Sequence, residues 1–182
     1  MNEFIKRATE KFNSNKNIDL SLDLIDYICE CYVKLNPCSY GTRIENKIKK
    51  LLKVKSVKKK ENKGDFKYGE KYGEIKVTFL SQTKTFNITH IRLYQNFDTY
   101  LFCFIDCEEN FTPNFYLIPK NIMNRLSLTS MNGTEETNMG NKNIDQRITI
   151  KKNSKEHKII SKNNLLLGTT FYDLKKYVDL IH

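Results

Sequence analysis

The chain has 182 residues and a formal net charge of +10, with 31 Lys and Arg against 21 Asp and Glu. That length suits one domain, and a hydrophobic fraction of 39% gathered in clusters supports a modest core and excludes wholesale disorder. No apolar stretch is long enough to span a bilayer, and residues 1–10 carry charges throughout, unlike a secretory signal, so a cytoplasmic protein is expected.

The basic balance (pI about 9.3) points to a polyanionic partner, because basic surface attracts phosphate backbones and releases their counterions; Lys-rich and Asn-rich usage also follows from an AT-rich genome. Five cysteines, Cys29, Cys31, Cys38, Cys103 and Cys107, contain no C-x-x-C pair, and three scattered histidines complete no zinc site. Reduced thiols are expected, with Cys103 and Cys107 in or beside an apolar strand.

In chain order, residues 3–12 form a short candidate helix. Leu20, Leu22, Leu24, Ile25, Ile28 and Val33 predict a second helix stopping near Asn36-Pro37. A third runs over 39–53, where Ile44, Ile48, Leu51 and Leu52 follow the i, i+4, i+7, i+8 pattern. Glu45 lies at the edge of that stripe, facing whatever the helix packs on or pairing with Lys49 in solvent. A turn over 61–64 then precedes a strand at 65–68, a turn at 69–73 with a glycine at each end, and an alternating, β-branched strand at 74–80. A short helix is expected over 88–95. The apolar run 100–106 predicts a strand covered on both faces. Another strand at 115–118 ends at Pro119 and leads into a helix over 121–125. The polar stretch 127–145 reads as a long loop, 147–151 as a short basic strand and 171–181 as a closing amphipathic helix. The class is α/β, with a mixed central sheet flanked by helices.

The informative segment is Gly64-Asp65, followed nine residues later by Glu74-Ile75-Lys76. In a strand, alternate side chains share a face, so Glu74, Lys76 and Thr78 project one way and Ile75, Val77 and Phe79 the other. Asp65, across the hairpin, comes alongside the first set. Carboxylates brought together repel and become harder to ionise unless a cation joins them; hard divalent ions with oxygen ligands do this, and Mg²⁺ is the usual choice at phosphate-handling sites. Such a metal polarises a phosphodiester and acidifies bound water, while a neighbouring lysine positions or deprotonates that water or neutralises the phosphorus centre. The E-x-K triplet alone is uninformative. It recurs at Glu45-Asn46-Lys47, Glu61-Asn62-Lys63 and Glu156-His157-Lys158, with Asp173-Leu174-Lys175 as a D-x-K. Only the triplet at Glu74 opens an apolar strand, follows a Gly-Asp hairpin and has a helix with a flank glutamate upstream. The bland alternative is a surface hairpin with solvated charges.

This arrangement resembles the PD-(D/E)xK nuclease superfamily, and within it the type II restriction endonucleases, over residues 39–118. The resemblance implies a restriction-endonuclease-like core, with Asp65 and Glu74 as metal ligands, Lys76 as the catalytic lysine and Glu45 as the helix acid near the metal, itself a candidate metal-binding and catalytic residue. Gly64 stands where the namesake proline would, a commonly replaced position. The implied division is N-terminal helices in 1–53, a catalytic core in 54–126 and a DNA-contacting region in 127–182.

The expected partner is double-stranded DNA. Lys58, Lys59 and Lys60 are candidates for phosphate contact, although exposed lysine runs are usually just solvated. His90, Arg92 and Gln95 fall where groove contact is expected, on an element that Ile88, Ile91 and Tyr94 also suit for packing. Asn132, Asn141, Lys142 and Arg147 lie on or beside the polar stretch and suit base edges, with Asn for adenine and Arg or Lys for guanine. Double-strand cleavage implies a homodimer or a partner subunit, with a homodimer expected, and the family resemblance implies a companion DNA methyltransferase in the host. Two further readings stand beside the restriction enzyme. A resolvase-like or repair nuclease would use the same site. A non-catalytic nucleic-acid-binding module would use the charge and the ten Tyr and eleven Phe, but would have no reason to hold Asp65 and Glu74 together near phosphates.

Overall fold

Two helices come first in the computed structural model, which describes residues 18–58, 61–129, 135–137 and 144–162. The helices expected at 3–12 and 171–181 lie outside those residues. Helix α1 (Leu24–Lys34) begins where the Asp23 carboxylate accepts the N–H of Asp26 at 3.0 Å, an N-cap that satisfies an otherwise orphaned donor. Helix α2 (Pro37–Leu52) follows after two extended residues, with Pro37 in its first turn, where no N–H is needed. Ile44, Ile48 and Leu52 are buried as the spacing predicts. Lys47 is buried too. Its ammonium donates to the carbonyls of Leu20 (2.6 Å) and Leu22 (2.7 Å) and sits 5.2 Å from the Tyr27 ring centre, so this E-x-K lysine is a clamp on the preceding loop.

The chain then builds β1 (Lys55–Ser56), β2 (Phe66–Tyr68) and β3 (Lys71–Phe79). β2 and β3 form an antiparallel hairpin in which Tyr68 pairs with Lys71, leaving only Gly69-Glu70 as the turn. The expected five-residue turn is therefore too long. Gly73 is inside β3, opposite Phe66, because the Phe66 ring fills the place of a side chain there: a Cβ on Gly73 would lie 2.3 Å from a ring carbon. After β4 (Thr85–Ile91), β5 (Thr99–Asp106) returns parallel to β3, and β6 (Thr112–Pro119) pairs antiparallel with β5. Helix α3 (Lys120–Thr129), strands β7 (Glu135–Thr137) and β8 (Ile144–Lys151) and helix α4 (Lys155–Lys162) complete the described elements. The central sheet runs β1-β2-β3-β5-β6 and is mixed; a second, antiparallel sheet runs β4-β8-β7.

All eight residues of β5 are buried, the signature of a strand covered on both faces. Leu101, Cys103 and Ile105 join Ile75, Phe115 and Leu117 in a core shared with α1 and α2. Tyr100, Phe102 and Phe104 turn the other way, into a core with Ile88, Ile148 and Ile150 of the second sheet, Met123 of α3 and Ile160 of α4. The fold is thus mixed α/β, with helices on both sides of the central sheet and the small sheet against one face. Asp106, at the buried end of β5, is tied to Lys152, which also reaches Glu109 at 2.8 Å, fastening the turn after β5 to the end of β8.

Three expectations are corrected here. The segment 88–95 is not a helix. Phe86 and Ile88 are buried while Asn87 is exposed, a two-residue period, and they pair with Ile150 and Ile148 of β8. A register shift between Ile88 and Ile91 inserts an extra residue, so two buried isoleucines fall three apart and imitate a helical stripe. The stretch 127–145 is not one loop, since α3 extends to Thr129 and β7 pairs with the start of β8 in a hairpin. The helix expected at 121–125 is longer than predicted, and α4 was not anticipated, although the Ser154 hydroxyl accepts the N–H of His157 at 3.2 Å as its N-cap.

Gly64 has φ +80° and leads directly into Asp65, whose N–H donates to the Gly73 carbonyl at 2.7 Å. A Cβ on Gly64 would lie 2.5 Å from that same carbonyl oxygen. Proline, fixed near φ −65°, cannot stand there, which gives the departure from the resembled pattern a physical cause. Gly64→Pro is expected to lower stability by about 2–4 kcal/mol, read by urea denaturation. An unchanged midpoint would show that the hairpin does not depend on this glycine.

Candidate active site

β3 carries the site. Beyond Gly73 it has lost its β2 partner, so its outer edge opens toward α2 on one side and the second sheet on the other. Glu74 is only 2% exposed, on the face that looks toward the second sheet. Thr78 shares that face, and its hydroxyl donates to the Asn87 carbonyl of β4 at 2.9 Å. Lys76 lies between them, and its ammonium donates to Glu74 Oε1 at 2.6 Å. No such buried pair forms at Glu45-Asn46-Lys47, where the lysine turns away to the loop carbonyls. Asp65 reaches the same place from across the hairpin, and its Oδ2 accepts the N–H of Ile75 at 3.0 Å. One backbone bond to Gly73 and one side-chain bond to Ile75 thus bracket Glu74 and fix Asp65 beside it.

The electrostatics follow from this crowding. Burial raises the Glu74 carboxyl above its ordinary value; Lys76 opposes that rise, Asp65 adds to it, and Arg92 opposes it. Glu45, on the flank of α2, is pushed up to about 7, by burial first, then by Asp65 and Glu74, with Lys76 and Lys49 pulling the other way. Three carboxylates therefore feel one another across the edge of β3, with one lysine among them. The donors are all oxygen, the chemistry of a hard cation. Among the described residues no three His, Cys, Asp or Glu side chains close around one point as a ready-made cage. Magnesium does not need one, since it keeps several waters and is usually held by one or two carboxylates. Asp65 and Glu74 suit that demand, and protonation of Glu45 near neutrality is what a carboxylate cluster does when no cation balances it.

A cleft of about 690 Å³ opens at the edge of β3. Glu45 and Lys76 line it together with His90 and Arg147. The structure therefore brings together four residues that the sequence holds up to 102 positions apart (Glu45 and Arg147). His90 has φ +55° at the register shift of β4, an uncommon backbone for a residue with a side chain. Arg147 is exposed on β8. Arg92 is half-buried and close enough to Glu74 to act on its ionisation. Lys58 is exposed, next to Val57, whose N–H donates to the Asp65 carbonyl at 3.1 Å. Gln95 is buried; its side-chain oxygen has no hydrogen-bond partner among the described residues, and its backbone carbonyl accepts from Lys120. Lys59, Lys60, Asn132, Asn141 and Lys142 lie outside the described residues.

Tyr100 was not foreseen as part of the site. It pairs in register with Glu74 across β3 and β5, and its hydroxyl is buried with no hydrogen-bond partner among the described residues. Nothing local marks it, because the register of a parallel pair is not written in either strand. Tyr32, Tyr40 and Phe79, which line the cleft, were also missed, since they come from three separate elements. No protein-family model matches the chain, and no curated protein matches it in sequence.

The raised Glu45 carboxyl has a consequence for stability. Its folded value of about 7 lies above the ordinary 4.5, so between these values the folded state binds more protons than the unfolded state. This contribution is complete below about pH 4.5 and is lost as pH rises through about 7. In metal-free protein, Glu45→Gln is expected to flatten the decline in stability between about pH 5 and about pH 8 by ~2 kcal/mol relative to wild type, measured by urea denaturation at each pH. Parallel curves for the two proteins would show that Glu45 ionises normally.

Proposed function

We propose that this chain is a Mg²⁺-dependent DNA endonuclease with a restriction-endonuclease-like core, cutting double-stranded DNA at a specific sequence. The observation that carries the reading is the buried Glu74–Lys76 pair on β3, bracketed by Asp65 and faced by Glu45. A structural role explains it poorly, because taking charges out of water costs more than a single ion pair usually returns. The net charge of +10 and the cations on the cleft wall favour a polyanionic substrate.

In this reading Asp65 and Glu74 hold the metal and Glu45 stands next to it. When bound, Mg²⁺ supplies charge stabilisation at the phosphate and acidifies water. Lys76 brings an ammonium to the phosphate oxygens, where negative charge grows as the water oxygen bonds to phosphorus and the bond to the sugar oxygen breaks, that oxygen taking up a proton from solvent. Glu45, facing the pair from α2 on the cleft wall, is placed to accept the proton that the water gives up. Arg147, His90 and Lys58 serve the strand on either side, and Arg147 suits a guanine edge or a phosphate. Cutting both strands calls for a second copy of the chain, and a restriction enzyme calls for a companion methyltransferase and a cytoplasmic location.

The test is incubation with long, unmethylated phage DNA and Mg²⁺, beside an EDTA control and Lys76→Ala. Discrete Mg²⁺-dependent fragments are expected, with loss of at least ~100-fold in rate for the variant. A Mg²⁺-dependent smear would keep the nuclease and remove the sequence specificity. DNA left intact across unmethylated, methylated and branched substrates would overturn the reading in favour of a binding module.

A further inference from the structure

The cleft beside Lys76 has two unlike walls. One is aromatic. Tyr32 of α1, Tyr40 of α2 and Phe79 of β3 form a continuous group, with ring centres 4.8 Å apart for Tyr32–Phe79 and 4.7 Å for Tyr40–Phe79. Tyr32 is 41% exposed, although its ring also packs 5.3 Å from that of Phe111 and its hydroxyl contacts Cys107. The opposite wall is polar, with Asn87 and His90 of β4, and carries the Arg147 guanidinium of β8. The Asn87 side-chain oxygen accepts the Thr149 hydroxyl at 2.9 Å, which orients the amide and directs its N–H group elsewhere as a donor.

We infer that this cleft receives an unpaired nucleobase of the DNA strand, stacked on the Tyr32–Tyr40–Phe79 wall, with its backbone running toward Lys76. The inference rests on the nuclease reading for the identity of the strand. The aromatic wall is what distinguishes an unpaired base from a paired one. Inside a duplex both faces of a base are covered by its neighbours, so tyrosine rings gain contact only with a base that has left the stack. The cavity, about 690 Å³, is in the usual range for a small-molecule site and is large for a side-chain packing defect. Its cations match the phosphates that flank such a base. The substrate at the moment of cleavage is then a duplex opened at the nucleotide beside the cut.

The experiment is fluorescence anisotropy of the full chain with two labelled oligomers of about 12 nucleotides, an oligothymidylate and an abasic strand of equal length. Both are measured in Ca²⁺, an oxygen-seeking cation that screens the carboxylates. Wild type is expected to prefer the base-bearing strand by about tenfold, the contribution of one stacked base. Tyr32→Leu, which keeps an apolar side chain against Phe79 and Phe111, is expected to lose that preference while binding the abasic strand as wild type does. Tyr40→Leu serves as the second variant if thermal melting shows the first to be unfolded. Equal binding of the two strands by wild type, or a preference that survives in both folded variants, would overturn the inference. The nuclease reading fails separately, by absence of Mg²⁺-dependent cleavage, whatever the stacking result.

Discussion

A carboxylate held out of water beside another carboxylate is the constraint around which this structure is arranged. Glu74 is buried between the central sheet and the small sheet, and Lys76, two residues along the same strand face, is its nearest counter-charge. Asp65 cannot drift away to relieve the repulsion. Its amide is bonded to Gly73 and its carboxylate to the amide of Ile75, so the backbone of the hairpin fixes it. Gly64 makes that geometry possible through a positive φ and a close approach to the Gly73 carbonyl. The crowding is felt at Glu45 as well, where burial, Asp65 and Glu74 push the carboxyl up to about 7.

The rest of the fold supplies what this cluster requires. β5 lies against β3 in parallel register and buries every residue, giving the site a rigid floor. Helices α1 and α2 cover one face of that floor and bring Glu45 and the tyrosines to its edge. The small sheet covers the other face and brings Arg92, His90 and Arg147. Glu74 and Lys76 on β3, Glu45 on α2, Arg147 on the second sheet and the aromatic group of Tyr32, Tyr40 and Phe79 thus meet at one open edge. On the nuclease reading, rigid elements hold the reacting groups in place better than loops do, and the open edge is where the DNA strand would enter.

Much of this was legible in the sequence, and the limits have physical causes. The helical stripe of Ile44, Ile48 and Leu52, the alternation from Glu74 to Leu80 and the apolar run of β5 are local periodicities, and each became the element it predicted. The nearness of Asp65 to Glu74 was legible because a short hairpin leaves little freedom in register. β4 was misread because its bulge converts a two-residue period into a three-residue spacing, and its partner strand lies about sixty residues away. Gln95, expected on the same helix, lies instead in the turn after β4, where it is buried. Tyr100 and the Tyr32–Tyr40–Phe79 wall depend on strand register and helix placement, which no single segment encodes.

The claim beneath all of this is that Asp65 and Glu74 are kept together for a divalent cation. Electron paramagnetic resonance of Mn²⁺ tests it without any substrate, because the sharp spectrum of the free ion is lost on binding. Wild-type protein is expected to bind Mn²⁺ at a saturable site from which Mg²⁺ displaces it, and folded Asp65→Asn and Glu74→Gln are each expected to lose that site. Failure of wild type to bind, or binding that neither substitution weakens, would contradict the account and leave the Glu74–Lys76 pair as a structural feature of the sheet.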